Sequence, residues 1–274
     1  MIKLGLIGYP VSHSLSPKIQ NAALKACGLE GEYSLYPIAP DDMQALKVLL
    51  DRVRSGEITG LNVTIPHKQN VIQFMDELTP TAKAIGAVSV IYLRGDKLIG
   101  DNADAHGFLT DLKKAFDFSS VVASPSALVL GAGGSARAVV YALLNDGWNI
   151  TIAARRIEQA QELARQFEKA HAVEFNFQTF QLSNLHLIVN TTPLGMTPNI
   201  DTSPLLENMI LPSHVSVYDL VYNPRETKLV RDARAQGLSA SAGLGMLVEQ
   251  AALGFELWTG YKLSSEIFRN AVEG

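Results

Sequence analysis

Lys68 sits in "NVTIPHKQN" (62–70), a short apolar strand that runs into Pro66 and then a cation. The spacing predicts that Lys68 falls in the first turn of a helix, where the positive dipole end disfavours a cation by up to about 1 kcal/mol. A lysine there should give up its proton more readily than the ordinary value of about 10.4 implies, which suits proton exchange near neutrality. A solvated surface lysine is the plain alternative. "GDNADAHGF" places Asp101, Asn102 and Asp104 just ahead of another helix. Asp104 reads either as its N-cap or as a carboxylate that holds Lys68 and meets a substrate hydroxyl. "VSHSLSP" offers Ser12, Ser14 and Ser16 after the first strand, with Ser16 expected as a helix N-cap, and Thr64 lies on the strand ahead of Lys68. Small hydroxyls beside a lysine and an aspartate suit a polyhydroxylated small molecule that carries a carboxylate. The six histidines (13, 67, 106, 171, 186, 214) have no H-x-x-x-H spacing and Cys27 is the one cysteine, so no metal is expected. His13, His67 and His106 stay open as alternative proton donors.

A second constellation is "ALVLGAGGSARAVVYALL", with Gly131, Gly133 and Ala136 at G-x-G-x-x-A spacing and Ala132, Gly134 and Ser135 between them. It follows an apolar strand, opens a helix and is succeeded by the strand "NITIAA", the setting a dinucleotide-binding loop requires. Gly131, Ala132, Gly133, Gly134 and Ser135 would then surround a pyrophosphate seated on the helix N-terminus; a ligand-free tight turn is the alternative. About 20 residues further on, an NAD site carries an acid for the ribose hydroxyl. This chain has Ala154, Arg155 and Arg156. Guanidinium groups pair bidentately with a 2′-phosphate, so the cofactor expected is NADP(H). "NTTPLGM" (190–196), with Thr191, and "DLVYNP" (219–224), with Leu220, follow two further strands at the ends where open parallel sheets bind ligands. Reduction of a carbonyl by a nicotinamide needs a proton donor beside the oxygen, the role Lys68 would fill.

These residues need a scaffold of alternating strands and helices, and the chain supplies one. "IKLGLIG", "EYSLYPI" and "ITGLNVTI" are strands separated by the helical stretches "SPKIQNAALKACG" and "DDMQALKVLLDRVRSG". "AVSVIYLRGDKLIGDN" reads as a hairpin closed near Gly95-Asp96, an antiparallel edge. A helix over about 104–116 leads to a polar stretch at 117–126 suited to a linker, after which a new strand–helix series starts at "ALVLGAGG" and continues through "NITIAA", "AVEFN", "LHLIVN" and "VSVYDLV". The alternation predicts an α/β protein of two domains with a cleft between them. One is a mostly parallel N-terminal substrate and catalytic domain, 1–102 plus 244–274. The other is a Rossmann-type dinucleotide-binding domain, 103–243. With 274 residues, 47% hydrophobic and 18% charged, the chain should bury a sizeable core. A net charge of −4 gives no electrostatic case for nucleic acid. No apolar run approaches the roughly 20 residues of a membrane span, and Gly and Pro interrupt "MIKLGLIGYPVS" before it could serve as a signal core. A cytoplasmic setting is expected, with a small-molecule partner; monomer and homodimer both stay open.

The ordered motifs "GYPVSHSLSP" (8–17), "NVTIPHK" (62–68), "IGAVSV" (85–90), "GDNAD" (100–104), "LGAGGSARA" (130–138), "NTTPLGM", "DLVYNP" and "GMLVEQAALGFELWTG" (245–260) resemble the shikimate dehydrogenase family over essentially the whole chain. The resemblance implies NADPH-dependent reduction of 3-dehydroshikimate to shikimate, with quinate/shikimate dehydrogenase or a non-catalytic NADP-binding sensor as alternatives. It implies Lys68 and Asp104 as the catalytic pair. The substrate carboxylate would lie near Ser14, Ser16 and Tyr222, and the ring hydroxyls near Thr64, Lys68, Asp104 and Gln250. Gly243 would lie beside the nicotinamide, and the C-terminal helix would pack on the first domain. Without the family, Gln250 reads as a polar residue on an exposed helix face and Gly243 as a helix-entry turn. Three departures stand out: Ser89 and Val90 replace the family's Asn-Thr, Ala103 and Ala105 alter "DNTDG", and Arg156 adds a second arginine. Ser89 is expected to bond the substrate with a shorter reach.

Overall fold

A computed structural model describes residues 1–119, 124–175 and 182–273. The expected linker at 117–126 and the end of the strand "AVEFN" fall partly outside the described residues. The chain divides into two compact units, Met1–Gly107 with Val248–Gly274, and Phe108–Leu247.

In the first unit, β1 (Ile2–Gly8), α1 (Ser16–Ala26), β2 (Gly31–Pro37), α2 (Met43–Arg54) and β3 (Gly60–Val63) follow one another as the alternation requires. β1 pairs in parallel with β2 and with β3. Beyond a two-residue β4 (Glu77–Leu78) and α3 (Pro80–Ile85), β5 (Val90–Arg94) and β6 (Lys97–Asp101) form the expected hairpin, with Arg94 opposite Lys97. β5 runs antiparallel to β3. The sheet order is β2-β1-β3-β5-β6-β4. Ile7, Leu46, Leu49, Leu50, Val53, Leu61 and Ile91 form the core beneath α2. The chain leaves this unit within α4 (Asp104–Ala115).

The second unit contains β7 (Ser126–Leu130), α5 (Gly134–Asn145), β8 (Asn149–Ala154), α6 (Ile157–Ala164), β9 (Ala170–Glu174), β10 (Leu187–Asn190), β11 (Ser216–Asp219), α7 (Lys228–Ala235) and β12 (Ala240–Ala242). Every strand pair in it is parallel, in the order β12-β11-β10-β7-β8-β9. Counted from β7 this is the 3-2-1-4-5-6 order of dinucleotide-binding sheets, whose switch point lies between the first and fourth strands. Here those strands are β7 and β10. The chain returns to the first unit within α8 (Leu244–Thr259), which α9 (Ser265–Glu273) follows. There Gln20 Nε2 donates to the Ala251 carbonyl at 3.1 Å, Trp258 Nε1 donates to the Ile91 carbonyl at 3.1 Å, and Phe268 meets Phe255 edge-on.

Two local expectations need correction. α1 starts at Ser16 itself, and the residue ahead, Leu15, supplies no side-chain cap. Ser14 Oγ accepts from the Ser16 amide instead, at 3.2 Å. Lys68 is not in an α-helix. Residues 65–69 form a turn that leads into a five-residue 3-10 helix, Asn70–Phe74. The cause is a competing acceptor bond: the Lys68 carbonyl takes the Val88 amide at 2.7 Å, while Ile72 donates to Gln69. Helical dipole chemistry therefore does not explain this lysine.

Candidate active site

What places Lys68 is a web of bonds around its turn. Thr64 N–H donates to the Ile7 carbonyl and Tyr9 N–H to that of Ile65, which ties the ends of β1 and β3 together. His67 is fully buried, with Nε2 2.8 Å from the Ile38 carbonyl oxygen. That side chain therefore anchors the turn from below, and as a proton donor for a ligand it is badly placed; His13 and His106 are exposed. Lys68 Nζ donates to Asp104 Oδ2 at 2.6 Å, with side-chain exposures of 13% and 7%. An ion pair this shielded from water is held far more firmly than a surface pair. The aspartate is the partner that accounts for a cation at this position.

Asp104 is free for that task because another residue caps its helix. Asn102 Oδ1 accepts from the Asp104 and Ala105 amides, at 3.0 and 3.3 Å. Its Nδ2 donates to the Ala87 carbonyl at 2.9 Å. Asp101 Oδ1 accepts from Thr79 Oγ1 and from the Asn102 amide. The N-cap alternative for Asp104 is thus ruled out, and Asn102 is a supporting residue that patterning missed. Its signal was present: an Asn two positions before the first helical residues of "GDNAD".

Ser89 has a supporting part that its sequence position does not announce. It is 2% exposed and its Oγ accepts from the Ala103 amide at 2.9 Å, so it braces the segment that leads to Asp104. Ser89→Ala leaves that amide buried without a partner, and an unfolding free energy lower by about 1–3 kcal/mol is expected in denaturant titration.

Ser14 Oγ donates to Ser16 Oγ at 3.1 Å, a hydroxyl pair at the start of α1. Thr64 is half-buried, and its hydroxyl has no hydrogen-bond partner among the described residues. Gln250 is 8% exposed, which excludes an exposed-face role. The first unit therefore gathers an ion pair and several hydroxyls. Among the described residues no three His, Cys, Asp or Glu side chains cluster as metal ligands would. No helix among them is long and apolar enough to cross a membrane.

In the second unit, the glycine loop joins β7 to α5 at the sheet's switch point. Gly131 has φ of 113°, and a Cβ there would lie 2.5 Å from Thr191 Oγ1, which itself donates to the Leu130 carbonyl at 2.7 Å. Only glycine fits. Gly133 is the exposed residue preceding α5, with no side chain to cap its amides and open space above it. Ala132, Gly134 and Ser135 are half-buried around this opening. A glycine N-cap without a side-chain cap bond, at the start of a twelve-residue helix and with open space above it, fits a pyrophosphate.

Arg155 and Arg156 follow β8 and precede α6, both exposed. Neither guanidinium has an ion-pair or hydrogen-bond partner among the described residues. Two adjacent cations at a positive helix end disfavour each other and the dipole, and a phosphate would relieve both. Leu220 N–H donates to the Asn190 carbonyl, and Gly243 N–H to that of Val221. A Cβ on Gly243 would lie 2.2 Å from the Leu220 carbonyl oxygen, so close backbone packing alone demands glycine there. Tyr222 lies in the same unit, half-buried in the turn after β11.

Three family models match the chain. Residues 6–91 match the shikimate dehydrogenase substrate binding domain, 113–224 match shikimate / quinate 5-dehydrogenase, and 243–273 match the shikimate 5′-dehydrogenase C-terminal domain. A curated relative from Methanocaldococcus jannaschii, shikimate dehydrogenase (NADP(+)), is 38% identical, over 98% of this chain and 95% of its own. A crystal structure of shikimate 5-dehydrogenase from Thermus thermophilus, in complex with NADP(H) and shikimate, is 36% identical with a TM-score of 0.87, over 100% of this chain and 99% of that one. Quinate dehydrogenase from Corynebacterium glutamicum, in complex with NAD, is 30% identical with a TM-score of 0.86, over 98% of each chain.

Proposed function

The chain belongs to the shikimate dehydrogenase family, and on that footing we propose that it reversibly reduces 3-dehydroshikimate to shikimate with NADPH, Lys68 giving the proton and Asp104 holding Lys68. The observation that carries this reading is the shielded Lys68–Asp104 pair at 2.6 Å. The first unit binds substrate and the second binds NADP. Ser14, Ser16 and Tyr222 hold the ring carboxylate, and Thr64, Ser89, Lys68, Asp104 and Gln250 meet the hydroxyls. The loop from Gly131 to Ser135 takes the pyrophosphate, Arg155 and Arg156 the 2′-phosphate, and Thr191, Leu220 and Gly243 lie along the nicotinamide end.

Bound NADPH supplies the hydride that reaches the carbonyl carbon. Lys68 Nζ gives a proton to the carbonyl oxygen, directly or through one water, so that ketone, hydride and proton together make the alcohol. Asp104 keeps the ammonium oriented before transfer. In the reverse direction the neutral amine takes the hydroxyl proton. A cytoplasmic enzyme, monomer or homodimer, is the setting we assign.

A quinate/shikimate dehydrogenase is the second reading. The Ser89 hydroxyl that braces Ala103 favours it, because it leaves less grip on the substrate. The test follows NADPH oxidation with 3-dehydroshikimate and with 3-dehydroquinate. Turnover of the first alone is expected; comparable turnover of both establishes the second reading. NADPH binding with no turnover of either would leave only a sensor.

A further inference from the structure

Asp219 is fully buried at the end of β11, and no cation among the described residues pairs with it. A buried charge without a counterion is costly unless hydrogen bonds satisfy it. Three donors from three segments do so. Asn190 Nδ2 at the end of β10 donates to Oδ1 at 2.8 Å, and the Val221 amide donates to the same oxygen at 3.0 Å. Thr227 Oγ1, at the N-cap of α7, donates to Oδ2 at 2.7 Å. The Asn190 carboxamide then fixes the neighbouring loop: its oxygen accepts from the Thr192 amide and hydroxyl, and its nitrogen also donates to the Leu194 carbonyl at 3.3 Å. Both segments assigned above to the nicotinamide end, 190–194 and 219–221, hang on this one carboxylate.

We propose that Asp219 is the positioning residue for cofactor binding, holding the Thr191 and Leu220 segments in their binding geometry only while its carboxylate is ionised. This rests on the reading that those segments contact the dinucleotide.

Burial pushes the Asp219 carboxyl up to about 6, and the bonds from Thr227, Val221 and Asn190 pull it back down. No charged group contributes to that shift. The titratable neighbour is Tyr218, whose phenol is raised, chiefly by burial and then by Asp111, with a smaller part from Asp219. On α7, Lys228 pairs with Asp232. Protonation turns charge-assisted bonds into neutral ones of roughly half the strength and places a proton where Thr227 now donates. A carboxyl that binds its proton more tightly folded than unfolded lowers stability as pH rises from about 4 to about 6. The ionised form is therefore retained at a cost to stability, which a purely structural site would avoid with Asn or Leu.

The experiment measures the Kd of NADH against pH on the full chain, because NADH lacks the 2′-phosphate, which itself titrates near pH 6. A rise of about tenfold is expected as pH falls from about 7.5 to about 5, since bonds to a charged group contribute more than neutral ones. Thr227→Val removes a donor to the anion and should move the midpoint upward, and Thr227→Ser should restore it. Asp219→Asn, if it folds, should give a weakened and pH-independent Kd. A flat profile in the wild type, or a midpoint that Thr227→Val leaves in place, overturns the proposal. If Arg155→Ala still weakens NADPH in a protein with a flat profile, the role of Asp219 falls alone. If neither dinucleotide binds at any pH, the cofactor reading falls and this inference with it.

Discussion

Lys68→Ala is expected to lower turnover of 3-dehydroshikimate by at least about a hundredfold, the scale of one positioned acid–base group, and to leave NADPH affinity unchanged. The expectation follows from geometry. Lys68 Nζ is locked 2.6 Å from Asp104 Oδ2, in a turn that the Val88 amide and the His67 ring hold in place. A side chain so restrained loses little freedom when it meets a carbonyl oxygen. Truncation also strands the Asp104 carboxylate, and breaking a buried pair costs about 3–5 kcal/mol. The variant must therefore be shown folded at the assay temperature by its thermal midpoint. Lys68→Met, which keeps the length of the stem and loses the ammonium, separates packing from proton transfer and should be as slow as Lys68→Ala. Near-normal turnover in either variant would assign the proton to another group.

Arg155→Ala is expected to weaken NADPH by about tenfold to a hundredfold and to leave NADH within about twofold, because a bond to a charged group contributes about 1.5–3 kcal/mol. Arg155 is exposed and without an ionic partner among the described residues, so truncation disturbs nothing that the fold uses. Arg156→Ala should act in the same direction, and the double variant should bind the two dinucleotides almost equally. The readout is a fluorescence titration with each dinucleotide at one ionic strength, since the effect is electrostatic and screened by salt. Equal losses for NADPH and NADH would remove the 2′-phosphate assignment.

The parallel architecture was legible because apolar runs and turn residues repeat at strand and helix lengths. The glycine loop was legible because strand, loop and helix follow one another locally, from Ser126 to Asn145. What failed to show depends on partners distant in the chain. Lys68 looked helical because the local pattern cannot reveal that Val88 takes its carbonyl bond. Ser89 reads as a ligand-binding hydroxyl, and only the folded hairpin shows that its oxygen also accepts from the Ala103 amide. β4 has two residues, too few for any alternation to register. Asp219 reads as an ordinary loop acid at a strand end, and its three donors come from positions 190, 221 and 227.

The mechanism requires Lys68 and Asp104 to act as one unit. The most direct measurement is a double-mutant cycle on turnover of 3-dehydroshikimate with saturating NADPH, using Lys68→Ala, Asp104→Ala and the two combined. Groups that act as a unit are strongly non-additive. The expected result is a double variant about as slow as the slower single variant. Losses that multiply would mean two independent contributions, and would contradict a proton delivered by Lys68 under the hold of Asp104.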